Sequence, residues 1–363
     1  MNKQKSILIC PLNWGIGHAS RCVPIIRYLQ QLNYNVIVAA DHKPMALLQL
    51  VFPELEFIRF PGYEPNYSKS NSLVLKMLIE APSIIRSFKN DAQVLDKIIQ
   101  QHRIDGLISD NRFGAFSSKI PSVFITHQLF IQTPKLLNFT KPVINYLNFN
   151  YIKKFNEVWI PDFEMEPNLS GNLSHGKLSG LNVKYVGPLS RFTIEQYDQI
   201  ENTEKVYDLL VLLSGPEPQR SMLESLILNQ LKNVKLKTII IRGLPGEKTI
   251  PESSDNITMK NHVNQNELQT LISESSQIVA RAGYSTIMDF VALKRHAILI
   301  PTPGQTEQLY LAEYLGKNGQ FTFINQKDFH VSTISKQASD NKVFQTSQDD
   351  LLQSTIQSWL SSW

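Results

Sequence analysis

A histidine close behind two glycines is the first place where this chain could do chemistry. Residues 12–21 read LNWGIGHASR, with Gly15 and Gly17 one residue apart and His18 next. The stretch follows the apolar run Ser6–Cys10 and precedes residues 23–29, which have helical spacing. A glycine loop between a strand and a helix points amide N–H groups past the carboxyl ends of the strands. A neutral imidazole at the start of that helix can take a proton from a hydroxyl. The plainer use of the same residues is a tight turn that His18 caps. The third position of a dinucleotide fingerprint falls on Ser20 instead of glycine, so no nucleotide is expected at this loop. Asp110 in LISDNRF and His127 in ITHQLF follow two other candidate strands. Either can assist a base or hydrogen-bond a loop, and the loop role ranks first.

A second set of residues lies in the C-terminal half. In VARAGYSTIMDF, residues 279–290, Gly283 allows close backbone approach. Ser285 and Thr286 are expected to cap the following helix and to offer hydroxyls to an anion at its positive end. Asp289 sits one turn further in, where a carboxylate can accept two hydrogen bonds from a ribose diol. PTPGQTEQLYLA, residues 301–312, is another strand-end loop opening into a helix, with Glu307 and Gln308 at its start. Acid plus amide suits several sugar hydroxyls at once. Each loop alone fits a helix cap or a solvated first turn. Three such loops at the strand ends of one half point to a nucleotide-sugar cleft.

The elements that must hold these residues alternate. Candidate strands at 6–10, 36–40, 55–58, 106–109, 123–126 and 158–160 are separated by helical patterns such as 23–32 and 92–101. Residues 185–189 look like a last short strand and turn. The polar segment 195–207 marks a domain boundary, after which strands at 208–213, 238–241, 257–259, 277–280 and 297–300 and a helix at 219–231 repeat the pattern. This predicts an α/β protein of two Rossmann-like domains in tandem, with parallel sheets and a cleft between the domains. The domains are taken as 1–195 and 205–345. The tail 346–363 is read as a helix that packs back on the first domain, with Leu351, Leu352, Ile356, Trp359 and Leu360 on one face.

Length and charge agree. The 363 residues exceed one ordinary core, and 42% hydrophobic with 19% charged residues is normal for a globular chain. A net charge of +4 is too weak to imply a nucleic-acid partner. Cys10 and Cys22 read as reduced thiols of a cytoplasmic protein, and no signal-peptide core or membrane span is evident.

GIGHASR early and RAGYSTIMDF…PTPGQTEQ late resemble the two-domain GT-B glycosyltransferases, in the branch that includes MurG and the UDP-glycosyltransferases. The resemblance implies a UDP-sugar donor held by the second domain. Val263 in NHVNQNEL would present backbone groups to the uracil, and Asp289 takes the place of the family's ribose acid. Ser214 and Gly215 in LLSGPEPQR, with the backbone around Gly283, Ser285 and Thr286, would cradle the diphosphate. Arg191 in VGPLSRF matches an arginine near the phosphates. Glu307 and Gln308 match the pair that holds the donor sugar, and His18 matches the first-loop histidine. One departure stands out: Pro216 and Pro218 remove N–H donors from a phosphate loop that is usually richer in glycine.

Inverting transfer needs a base for the acceptor hydroxyl and a field that stabilises the departing diphosphate, which helix N-termini supply. No Asp-X-Asp motif is found, so neither a metal nor another cofactor is expected. Residues 130–155 hold Lys135, Lys141, Lys153 and Lys154 and no acid, interleaved with large apolar residues. The expected role is an ordinary helix with its apolar face packed on the first domain. The alternative is a basic surface for a lipid-linked or cell-envelope acceptor at the inner membrane face. Rival functions are a nucleotide-sugar hydrolase, with water as acceptor, and a non-catalytic sugar-nucleotide binding protein. A UDP-sugar epimerase would need several carboxylates around the sugar, and these are not found.

Overall fold

The computed structural model describes residues 4–63, 73–178, 180–192, 203–251, 253–336 and 348–363. They form two compact units, one made of residues up to 191 with the C-terminal helix, the other beginning at Phe192. Each is an α/β layer built on a parallel sheet.

In the first unit the sheet order is β3-β2-β1-β4-β5-β6-β7. Its strands are β1 (Ser6–Pro11), β2 (Asn35–Ala40), β3 (Glu56–Arg59), β4 (Gly106–Asp110), β5 (Ser122–Ile125), β6 (Glu157–Ile160) and β7 (Val183–Tyr185). Helices α1 (Ile16–Gln31), α2 (His42–Val51), α3 (Leu73–His102) and α4 (Lys141–Ile152) connect them. Every residue of β1, β4 and β5 is buried. Strands covered on both faces read as unbroken apolar runs, which is why their sequence limits are sharp. Leu8, Ile37, Phe60, Leu95, Ile98 and Leu107 pack one face of this sheet, and Phe124, Ile152, Phe155 and Val158 another part. The chain runs outward from β1 through β2 to β3, then restarts beside β1 with β4. That reversal is the topological switch point, where doubly wound sheets open a crevice at their strand ends.

The second unit repeats the plan with the order β10-β9-β8-β11-β12-β13. Its strands are β8 (Tyr207–Leu212), β9 (Thr238–Ile241), β10 (Ile257–Lys260), β11 (Ser275–Ala280), β12 (Ile298–Leu299) and β13 (Thr322–Phe323). Its helices are α5 (Gln219–Leu231), α6 (Gln265–Ser273), α7 (Tyr284–Ala292) and α8 (Thr306–Lys317). The switch point here lies between β8 and β11, paired in parallel from Ser275–Tyr207 to Ala280–Leu212. The core joins Leu209, Val211, Leu223, Ile227, Ile240 and Val279.

The last helix, α9 (Gln348–Ser361), belongs to the first unit. Leu352, Ile356, Trp359 and Leu360 are buried, and Trp359 meets Trp159 of β6 edge-on at 5.9 Å. Gln357 donates to the Tyr28 hydroxyl of α1 at 2.6 Å. Leu351 departs from the expected face and is exposed. At 3.6 residues per turn, 352, 356, 359 and 360 form one stripe and 351 falls beside it.

The segment 130–155 corrects a second expectation. Leu136 is 91%, Phe139 77% and Tyr146 67% exposed, and Val143 and Leu147 are exposed with them. Helix α4 packs only its C-terminal apolar residues, Phe149 and Ile152, into the core, and polar groups anchor the rest. Asn148 donates to the Leu129 carbonyl at 2.9 Å, and Asn145 accepts the Ile131 N–H at 2.8 Å. The asparagines, Phe149 and Ile152 turn inward, and an apolar face is left turned outward. Among the described residues no helix is long and apolar enough to cross a membrane.

Candidate functional site

Four polar side chains meet at the switch point of the first unit. Gly15 takes φ +105°, a left-handed conformation that suits only glycine, and α1 begins at the next residue. Gly17 and His18 therefore lie inside the first helical turn, and the turn itself depends on Gly15. No side chain caps α1, which corrects the capping role for His18. Three residues on, Arg21 shares its face. Asp110 is the last residue of β4, in register with Pro11, and His127 follows β5.

The Arg21 guanidinium is the hub. Its Nε donates to Asp110 Oδ2 at 3.0 Å and its Nη2 to Asp110 Oδ1. Its Nη1 meets His127 Nδ1 at 3.1 Å, and its Nη2 meets His18 Nδ1 at 2.6 Å. Asp110 Oδ1 lies 3.3 Å from the same His18 nitrogen. Arg21 and Asp110 are both buried, so the pair stands in low dielectric with its charges matched. Burial pushes the Asp110 carboxyl up, but Arg21 and His18 outweigh it and hold it below the usual range. For His18, burial first and Arg21 second lower its pKa, against a smaller opposing pull from Asp110. The imidazole is therefore neutral. Two partners compete for Nδ1: Arg21, which only donates and pairs with the tautomer protonated on Nε2, and Asp110, which accepts and pairs with the tautomer protonated on Nδ1. A proton on Nδ1, shared with Asp110, would free Nε2 to act as a base. Both Asp110 and His127 thus bind the Arg21 side chain of α1. Arg21 was not singled out by its sequence, although a charged residue three positions from His18 on an apolar helix was a signal.

Three strand-end loops meet the switch point of the second unit. After β8 come Ser214 and Gly215, both exposed, with Gly215 at φ +99°. After β11, Gly283 is the N-cap of α7 and no side chain caps the helix. This corrects the capping role of Ser285 and Thr286. The helix starts at Tyr284, so both hydroxyls fall inside its first turn, half-buried. Asp289, one turn deeper, is only 5% exposed. After β12, Gln305 is the N-cap of α8, and Glu307 and Gln308 occupy its first turn, half-buried. Gln308 Oε1 accepts the Thr302 N–H at 2.9 Å, which ties the side chain to the loop before α8. Val263 is buried after β10, beside Asn264, which caps α6 by accepting the Glu267 N–H. Arg191 is the last residue of the first unit, and its carbonyl accepts from Arg27 at 3.0 Å.

Arg281, which the sequence reading also passed over, ties these loops together. It is fully buried. Its Nη2 donates to the Gln219 carbonyl at 2.7 Å, at the start of α5. Its Nη1 donates to the Pro301 carbonyl at 3.2 Å and to Gln326 Oε1 at 2.8 Å.

Known proteins share the fold. Residues 219–354 match the glycosyltransferase family 28 C-terminal domain. No curated protein matches the chain in sequence. Among solved structures, MurG of Acinetobacter baumannii is similar over 92% of this chain and 89% of its own, at 13% identity and TM-score 0.53. The kitacinnamycin glycotransferase is similar over 99% and 96%, at 13% identity and TM-score 0.60. UGT89C1 of Arabidopsis thaliana, solved with UDP-L-rhamnose, is similar over 99% and 95%, at 11% identity and TM-score 0.58. Residues 219–354 thus match a family 28 glycosyltransferase C-terminal domain, and the chain as a whole has the GT-B fold of these solved structures.

Proposed function

We propose that this enzyme moves a hexose or N-acetylhexosamine from a UDP-sugar to an acceptor hydroxyl, with inversion and without an obligatory metal. The observation that carries this reading is the meeting of the Ser214–Gly215, 283–289 and 302–308 loops at one switch point, most of it inside the family 28 match. UDP is favoured because the similar UGT89C1 was solved with UDP-L-rhamnose. In this reading Val263 meets the uracil and Asp289 the ribose. Ser214, Gly215, Gly283, Ser285, Thr286 and Arg191 serve the diphosphate, and Glu307 and Gln308 the sugar. Residues 1–195 form the acceptor side, 205–345 the donor side, and 346–363 the helix that returns to the first.

His18 is the base. In the tautomer whose proton stays on Nδ1 and is donated to the Asp110 carboxylate, Nε2 takes the acceptor's hydroxyl proton. The acceptor oxygen bonds to the anomeric carbon as the bond to the diphosphate breaks, and UDP leaves with that electron pair. Helix N-termini and aligned amides stabilise the charge on the leaving group. The rival acceptor is water. Incubation with UDP-glucose, UDP-galactose or their N-acetyl forms, without acceptor, is expected to release free sugar slowly and far below stoichiometry. Rapid stoichiometric release would make the protein a hydrolase.

The outward apolar face of 136–147 supports a lipid-linked acceptor at an anionic, cytoplasm-facing bilayer. Lys153 and Lys154 are exposed beside it, and no acid occurs between 130 and 155. Co-sedimentation with vesicles containing phosphatidylglycerol is expected at low salt, weakened by Leu136→Ser with Phe139→Ser. Failure of the wild type to sediment sinks the membrane contact.

A further inference from the structure

Thr302 is 3% exposed, and its hydroxyl Oγ1 has no hydrogen-bond partner among the described residues. A buried hydroxyl without a partner is uncommon and calls for an explanation. Its surroundings are fixed. The Thr302 N–H is held by Gln308 Oε1 at 2.9 Å, and the preceding carbonyl, of Pro301, by Arg281 at 3.2 Å. A side-chain carbon built on Gly215 would lie 3.7 Å from Oγ1, so the hydroxyl adjoins the β8–α5 loop.

Two features make an anion the fitting partner. Arg281 pairs with carbonyls and one amide, and no carboxylate among the described residues answers its charge. Burial pulls its pKa down to about 10, still charged at neutral pH. The β8–α5 loop is also short of N–H donors, because Pro216 and Pro218 carry none. An O–H from the neighbouring loop supplies what the prolines withhold.

We infer that the Thr302 hydroxyl donates a hydrogen bond to a phosphate oxygen of the donor's diphosphate, completing with the Gly215 loop a cradle that the prolines leave short of donors. This rests on the donor reading above. Arg281 is its positioning residue, holding Pro301 and Gln219 in place.

The test is calorimetric titration of UDP and of uridine into wild type, Thr302→Val and Thr302→Ser. Valine keeps the shape and removes the hydroxyl. UDP affinity is expected to fall roughly tenfold to a hundredfold in the valine variant, as for a lost hydrogen bond to a charged group. Uridine affinity is expected to stay unchanged, and serine to restore UDP affinity. The ligand-free valine variant is expected to melt no lower than wild type, since the hydroxyl has no internal bond to lose. Equal UDP affinity in wild type and valine variant overturns this assignment alone. A wild type that binds no nucleoside diphosphate overturns the donor reading and this assignment with it.

Discussion

His18→Ala is expected to lower turnover about a hundredfold to ten-thousandfold, the range for a lost general base, while UDP binds as before. The two halves of that result have separate causes. The imidazole stands on α1 in the first unit, whereas the loops assigned to the diphosphate and sugar belong to the second. Removing the ring takes away the acceptor for the hydroxyl proton and leaves donor contacts untouched. His18→Gln provides a sharper comparison, since it keeps a hydrogen-bonding side chain that cannot act as a base near neutral pH. Steady-state rates with UDP-sugar and calorimetric UDP affinity check both halves. Full activity in either variant removes His18 from the mechanism.

Asp110→Ala is expected to cost about 3–5 kcal/mol of stability, because it strands the buried Arg21 guanidinium without its counter-charge. Arg21→Met together with Asp110→Leu is expected to recover most of the loss, since an apolar pair buries no unmatched charge. All four tryptophans, Trp14, Trp159, Trp359 and Trp363, lie in the first unit, so their fluorescence in urea reports its unfolding. The pH dependence has a definite sign. The Asp110 and His18 pKa values are both lowered in the folded state, so the unfolded chain binds more protons. Stability falls on acidification, first below the ordinary histidine range and then through the carboxylate range. Asp110→Ala should flatten the second part. An unchanged urea midpoint would mean that Arg21 finds adequate partners without the carboxylate.

The strands were legible because parallel strands buried on both faces are continuous apolar runs. The limits expected at 6–10, 106–109 and 238–241 differ from the observed ones by at most one residue. β13, at Thr322–Phe323, escaped notice because two half-buried residues carry no period. The apolar residues of 136–147 misled in the other direction: composition suggested a packed face, but Asn145 and Asn148 supplied the anchoring bonds. For the site, glycine-then-helix loops marked the strand ends. What could not be read were groups whose roles come from distant partners. Arg21 meets Asp110 and His127, 89 and 106 residues away, and Arg281 meets Gln219 62 residues back. Thr302 is defined by a missing bond, which no sequence displays.

Calorimetric melting of the wild-type chain with UDP-, GDP-, dTDP- and CMP-sugars tests the central claim most directly. A ligand of the native state at a hundred times its Kd adds about 2.7 kcal/mol, enough to move a transition by several degrees. The account predicts that UDP-sugars raise the midpoint of the second unit and that CMP-sugars do not. A transition indifferent to every nucleotide sugar would contradict it.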